Sequence, residues 1–176
     1  MRKTIIILLA CILSGLTANA QRPTVMGFPL GGQTSYLTQK LRERGYEKTS
    51  TGNGEIQSER NYVYRGGTFA GYDAEVFFIE RSGFVTTIAA GIECSNKTKA
   101  INVFNDLKKR VIEKYGEYYI ERNDEDHFSI KQSSDNDEEF WISVSHDYIN
   151  EGVLKGYRAD ILYFIKTVPN NGDDDI

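Results

Sequence analysis

Between Ile56 and Glu93 apolar and polar residues alternate with a period of two, so that Ala74, Val76 and Phe78 fall on one parity and Glu75, Phe77 and Ile79 on the other. Successive side chains of a strand point to opposite faces. The stretch therefore predicts a meander of antiparallel strands, with turns at Arg65-Gly66-Gly67, Gly71 and Ser82-Gly83. Before it the spacing is helical: Tyr36, Leu37 and Leu41 follow a candidate cap at Thr34 or Ser35, and Gly45 supplies a left-handed stop. The same order then recurs. Thr98 can cap a second helix carrying Ile101, Phe104, Leu107, Val111, Ile112 and Tyr115 on one face, and Gly116 ends it. Strands are expected after it at about 117–122, 126–132, 139–147 and 157–167.

The chain thus reads helix, meander, helix, meander. This predicts an α+β domain built as a tandem helix-plus-antiparallel-meander repeat, about 27–93 and 96–168, with the helices packed on one face of the sheet. Pro169 to Ile176 is polar and acidic without periodicity and is expected as a disordered tail. Thr51-Gly52-Asn53-Gly54 has neither the preceding strand nor the lysine of a phosphate loop, and reads as a flexible hairpin or connection.

The first 20 residues change the picture from a domain to an exported domain. Arg2 and Lys3, the apolar run Thr4 to Leu13, and Ala18-Asn19-Ala20 have the order of a cleavable secretory signal with cleavage after Ala20. The apolar run is shorter than the roughly 20 residues a bilayer-spanning helix needs, so no membrane span is expected. Leu8-Leu9-Ala10-Cys11 loosely resembles a lipid-attachment box, which is the alternative reading of the same segment. The expected location is periplasmic or extracellular, and residues 21–168 are expected to form a single domain. Loss of Arg2 and Lys3 leaves 19 of the 21 basic residues against 25 acidic ones, a net charge of −6. That charge argues against a nucleic-acid partner, and Lys108-Lys109-Arg110 is read as a solvated helix face.

Candidate chemistry is sparse. Once Cys11 leaves, Cys94 is alone, so no intramolecular disulfide can form, and its place after Val85 to Ile92 predicts a buried thiol. His127 and His146 have no metal-ligand spacing, and neither His-Glu-x-x-His nor Cys-x-x-Cys occurs. Ser145-His146-Asp147 are neighbours on an expected strand, where alternate side chains cannot converge as a triad. The acidic groups at 124–126, 135–139 and 173–175 lack the calcium-loop pattern. No catalytic, metal or cofactor-binding residue is therefore assigned, and a small hydrolase using Cys94 or His146 is the least favoured alternative.

The chain is rich in tyrosine, with 11 in all, and large amphipathic aromatics mark recognition surfaces when exposed. If Phe140, Ile142 and Val144 face the helices, then Trp141 faces away. Phe77 opposes Val76 and Phe78 in the same way, and Arg158 and Asp160 oppose Ala159 and Ile161. Tyr62 and Tyr64 share a face that parity alone leaves open. Candidate partner-binding residues are thus Tyr62, Tyr64, Phe77, Trp141 and Arg158.

At Gly27-Phe28-Pro29-Leu30-Gly31, Gly67-Thr68-Phe69-Ala70-Gly71 and Glu113-Lys114-Tyr115-Gly116 the chain resembles a broad group of uncharacterised exported proteins of Gram-negative bacteria, whose fold is similar to that of the β-lactamase inhibitory protein. The resemblance implies a tandem helix-plus-sheet repeat that presents its sheet to a protein partner. The inhibitor's disulfides cannot exist with Cys94 alone, so its target and mechanism do not carry over. The function implied is that of a non-catalytic exported binding protein, docking an envelope or extracellular protein or glycan on an open sheet face. A lipoprotein-like component of envelope assembly is the alternative.

Overall fold

Ten strands and two helices form in the computed structural model, which describes residues 22–54, 58–117, 119–133, 138–151 and 154–167. The signal expected over 1–20, its cleavage after Ala20, Cys11 and the tail 169–176 lie outside the described residues. A short hairpin, β1 (Thr24–Val25) and β2 (Phe28–Pro29), precedes helix α1 (Thr34–Glu43). Strands β3 (Glu47–Asn53), β4 (Glu59–Phe69), β5 (Tyr72–Arg81) and β6 (Phe84–Cys94) follow, then helix α2 (Lys97–Tyr115). The chain continues through β7 (Ile120–Asn123), β8 (His127–Ser133), β9 (Glu138–Glu151) and β10 (Leu154–Thr167).

Eight of these strands make one antiparallel sheet in the order β3-β4-β5-β6-β10-β9-β8-β7. Two-residue turns with both residues at positive φ, Ala70-Gly71 and Ser82-Gly83, join β4 to β5 and β5 to β6. This is the turn whose twist matches a hairpin, and glycine adopts its second position without a steric penalty.

The α+β reading as a tandem helix-plus-meander repeat is overturned. With 60% strand, 22% helix and only two helices among the described residues, the fold is β-rich. Its sheet is hydrogen-bonded without a break where Thr87–Cys94 of β6 pairs with Tyr157–Phe164 of β10. The helices are not equivalent copies: α1 has 10 residues and buries Leu37 and Leu41, whereas α2 has 19 and buries Ala100, Val103, Phe104, Leu107 and Val111. The likeness that suggested a repeat was the glycine after each helix, and Gly45 and Gly116 do have positive φ. That is a common way for any helix to end.

Three local expectations also change. Arg65-Gly66-Gly67 is a bulge within β4, where the register to β5 shifts between Tyr64 and Gly67, and not a turn. The cap of α2 is Asn96, whose Oδ1 accepts a hydrogen bond from the Lys99 amide at 2.9 Å, in place of Thr98. Residues 51–53 belong to β3, an edge strand exposed along its whole length.

Parity divides the sheet into two faces. On one face the cross-strand row Tyr62, Phe78, Ile88, Tyr163, Ile142 and Ile130 contributes to a core closed by α2, which lies on β9, β10 and β6. Leu37 and Leu41 of α1, and Val25, Phe28 and Leu30 of the leading segment, belong to the same core. The leading segment is tied down there by Lys114, whose Nζ donates to the Thr24 carbonyl at 2.7 Å and to Thr24 Oγ1 at 2.8 Å. Cys94 is buried in this core and its thiol is pushed above the usual range by burial.

Candidate functional site on the uncovered sheet face

The other face is covered by none of the described elements. Its central row runs Val63, Phe77, Ala89, Leu162, Ser143 and Ser129 across six strands. Beside it runs a second row, Asn61, Ile79, Thr87, Phe164, Trp141 and Lys131. Together they form an apolar band in which Phe77, Ile79, Leu162, Phe164 and Trp141 are all partly exposed. The Trp141 ring lies parallel to that of Phe164, with centroids 5.9 Å apart and an interplanar angle of 4°. The Lys131 ammonium sits 5.3 Å from the Trp141 centroid and 2.6 Å from Glu139, whose carboxyl it holds below the usual range. Trp141 Nε1 is shielded from water and finds no acceptor among the described residues.

On the other side of the central row the chemistry turns ionic. Glu75, Gly91, Asp160, Ser145 and His127 lie in register from β5 to β8. Gly91 has no side chain, and the Arg158 guanidinium fills the space above it; a methyl group at Gly91 would coincide with that guanidinium. Arg158 Nε donates to Asp160 Oδ1 at 2.6 Å, and Arg65 pairs with Glu75. A glycine in the interior of a strand marks a close approach by another group, and here the group is the arginine. Next to it a hollow of about 670 Å³ opens between Arg65, Asp73, Glu75, Gly91, Glu93 and Arg158.

Burial raises the Asp160 carboxyl above its ordinary value of 3.8; the Arg158 charge opposes this, and Glu75 and Asp147 add to it. A carboxyl so raised favours the folded state in its protonated form. That contribution is complete below 3.8 and is lost as pH rises through the raised value. Asp160→Asn is therefore expected to gain stability relative to the native protein on going from pH 3 to pH 7. Melting temperatures of both across that range are the measurement, and a variant that loses ground with rising pH would contradict the burial argument.

Of the five candidate residues the structure places Phe77, Trp141 and Arg158 on this face, with Arg158 bordering the hollow and the two aromatics in the band. Tyr62 and Tyr64 are on the opposite side. Both stack on Phe78, at 4.6 and 5.7 Å, and Tyr64 is fully buried. Their hydroxyls are engaged inside the protein: Tyr62 OH donates to Glu80 at 2.7 Å, and Tyr64 OH lies 3.5 Å from Thr38 Oγ1. They are separated from the other three candidates by the thickness of the sheet.

Ser145, His146 and Asp147 do not converge. His146 is on the helix side, edge-on to Phe104 and 3.2 Å from the Glu125 carbonyl, while Ser145 and Asp147 lie opposite Asp160 and Arg158. Cys94 is hydrogen-bonded to the Ile92 carbonyl at 3.5 Å. No group of three or more metal-ligating side chains is present among the described residues, and no helix among them is long and apolar enough to cross a membrane. Sequence reasoning missed Gly91, Arg65, Glu93 and Asp73 as parts of one site. The usable signal was Gly91 itself, on the same parity as Ala89 in a strand otherwise rich in β-branched residues. In comparison with known proteins, the chain matches no family model, no curated protein and no solved structure.

Proposed function

We propose that this is an exported binding protein that docks a protein partner of the envelope or extracellular space on the uncovered face of its sheet. The observation that carries the reading is the apolar band across five strands, β4 to β9 in sheet order, with an aromatic stack at Trp141 and Phe164, on the side away from both helices. The largest apolar patch of a protein is often functional, above all where polar residues rim it, as they do here. With strands about 4.8 Å apart and same-face rows about 7 Å apart, the two rows of the band and the ionic row beside them together span about 600 Å². That is close to the roughly 800 Å² each partner buries in a standard protein–protein interface, and favours a protein over a short glycan. Trp and Arg are also the residue types most enriched at the centres of such interfaces. The export reading rests on residues 1–20, as argued from the sequence.

A photo-crosslinking residue placed at Leu162, on the band, is expected to give a discrete protein adduct in envelope extract. The same residue at Glu113, on the exposed side of α2, should not. Trp141→Ala in the Leu162 background should lower the adduct yield, in line with the roughly 2 kcal/mol or more lost on truncating a hot-spot residue. Equal labelling from both positions, or none from either, would remove the proposal.

A further inference from the structure

The uncovered face is not electrically uniform, and the asymmetry specifies its partner. Along the strand direction the apolar rows give way to an acidic border in which Asp73, Glu75, Glu93, Asp147 and Asp160 stand against two guanidiniums, those of Arg65 and Arg158. The two arginines are already committed, Arg65 to Glu75 and Arg158 to Asp160. Asp73, Glu93 and Asp147 are exposed and have no ion-pair partner among the described residues. At the other end of the same strands Arg81, Lys131 and Lys166 outnumber Glu59 and Glu139. An approaching surface thus meets aromatic and aliphatic groups in the middle and net negative charge on one side only, where five carboxylates face Arg65, Arg158 and Lys155, the last lining the adjoining hollow with Glu93.

We infer that the partner presents a basic border beside an apolar ridge: a polypeptide whose apolar side chains lie on Phe77, Leu162, Phe164 and Trp141, and whose arginine or lysine enters the hollow beside Glu93 and Asp73. The inference rests on the reading of this face as a docking surface and names the chemistry of what docks there. A cation in the hollow relieves repulsion among the unpaired carboxylates, whereas an acidic border would add to it. Same-face rows are about 7 Å apart, so apolar and basic groups spaced as alternate residues of one extended segment match the change from apolar to acidic rows.

Trp141 is the sole tryptophan and lies in the band, so its emission reports occupancy of the face. The mature chain is titrated with a synthetic peptide carrying leucines at alternate positions and then arginines continuing the alternation. The isomer with glutamates for arginines, and a neutral glucose oligosaccharide, serve as the other arms. The arginine peptide is expected to give a saturable change that weakens about tenfold between low and high salt, as screened exposed charges do. Asp73→Lys with Glu93→Lys should weaken it by at least about tenfold, equivalent to about 1.4 kcal/mol. Glu113→Lys, on α2, should leave it unchanged.

Equal binding of the glutamate peptide, saturation by the oligosaccharide alone, or a change in emission on concentrating the protein by itself would each overturn the inference, the last in favour of a second copy as occupant. If the arginine peptide is silent while Leu162 still gives a Trp141-dependent adduct, the charge argument fails and the docking face stands. If both are silent, both fail.

Discussion

Phe78→Ala is expected to cost about 3–5 kcal/mol of folding stability, the range for truncating a fully buried aromatic. Phe77→Ala, one residue earlier, should cost about 1 kcal/mol, the scale of a cross-strand contact on an exposed sheet surface. The contrast follows from the pleat alone. Phe78 is fully buried between the stacked rings of Tyr62 and Tyr64, whereas Phe77 lies in the uncovered row between Val63 and Ala89. Urea unfolding of the two variants, with the native protein alongside, measures the difference. Similar losses in both would mean that the band is covered by part of the chain and is not a free face. The same experiment separates stability from docking, because Phe77→Ala and Trp141→Ala should impair capture of a partner while leaving the protein folded.

That parity could be read directly from the chain, because a two-residue period permits only one alternative assignment and a run such as Ala74, Val76 and Phe78 against Glu75 and Phe77 selects it. The presence of α1 and α2 was legible for a similar reason: Leu37 and Leu41, and Phe104, Leu107 and Val111, recur at helical spacing, although each helix is capped one or two residues before the expected Thr34 or Ser35 and Thr98, at Gln33 and Asn96. Strand β3 was not. Glu47 to Asn53 carries no apolar side chain, and its place in the sheet comes from backbone pairing with β4, which side-chain periodicity does not register. The glycines at 66 and 67 were read as a turn because a turn and a bulge both need a residue free of side-chain clashes. Only the pairing of Tyr64 with Val76 and of Gly67 with Ala74 tells them apart.

The aromatic half of the site was accessible from sequence and the ionic half was not, and the reason is distance along the chain. Phe77 and Trp141 each declare their face through their own strand. The hollow, by contrast, draws Arg65 from β4, Asp73 and Glu75 from β5, Gly91 and Glu93 from β6, and Arg158 from β10. Their meeting depends on β10 pairing with β6, a contact between the middle and the end of the chain that no local pattern encodes. Tyr62 and Tyr64 failed as candidates for the complementary reason. Tyrosine composition alone does not distinguish a ring that reaches a partner from one that stacks on Phe78, and the hydrogen bond of Tyr62 to Glu80 satisfies inside the protein the polar end that suggested exposure.

Two substitutions of glycine by alanine in the same sheet are expected to behave oppositely. Gly67→Ala should cost about 1–3 kcal/mol, the usual penalty for overpacking. A Cβ there would overlap the ring of Tyr46, which is buried and has no room to withdraw. Gly91→Ala meets an obstacle closer still, but it is the guanidinium of Arg158, the far end of a flexible side chain. The arginine can swing toward the hollow, and alanine is favoured over glycine in a strand by roughly 0.5–1 kcal/mol, so stability should be nearly unchanged while Asp160 is protonated. What should change is the site. Displaced from its seat, Arg158 loses its 2.6 Å contact with Asp160 and enters the space assigned to the partner's basic side chain. Gly91→Ala is therefore expected to keep the native melting temperature at low pH, where Asp160 is protonated, and to fall below the native protein as pH rises, since the charge that opposes protonation of Asp160 has moved away and its carboxyl is raised further. It should also weaken binding of the arginine peptide. A Gly91→Ala protein that binds the peptide as the native protein does would show that the hollow is not where the basic group sits. One that unfolds with Gly67→Ala would show that the Arg158 guanidinium is locked in place and not displaceable.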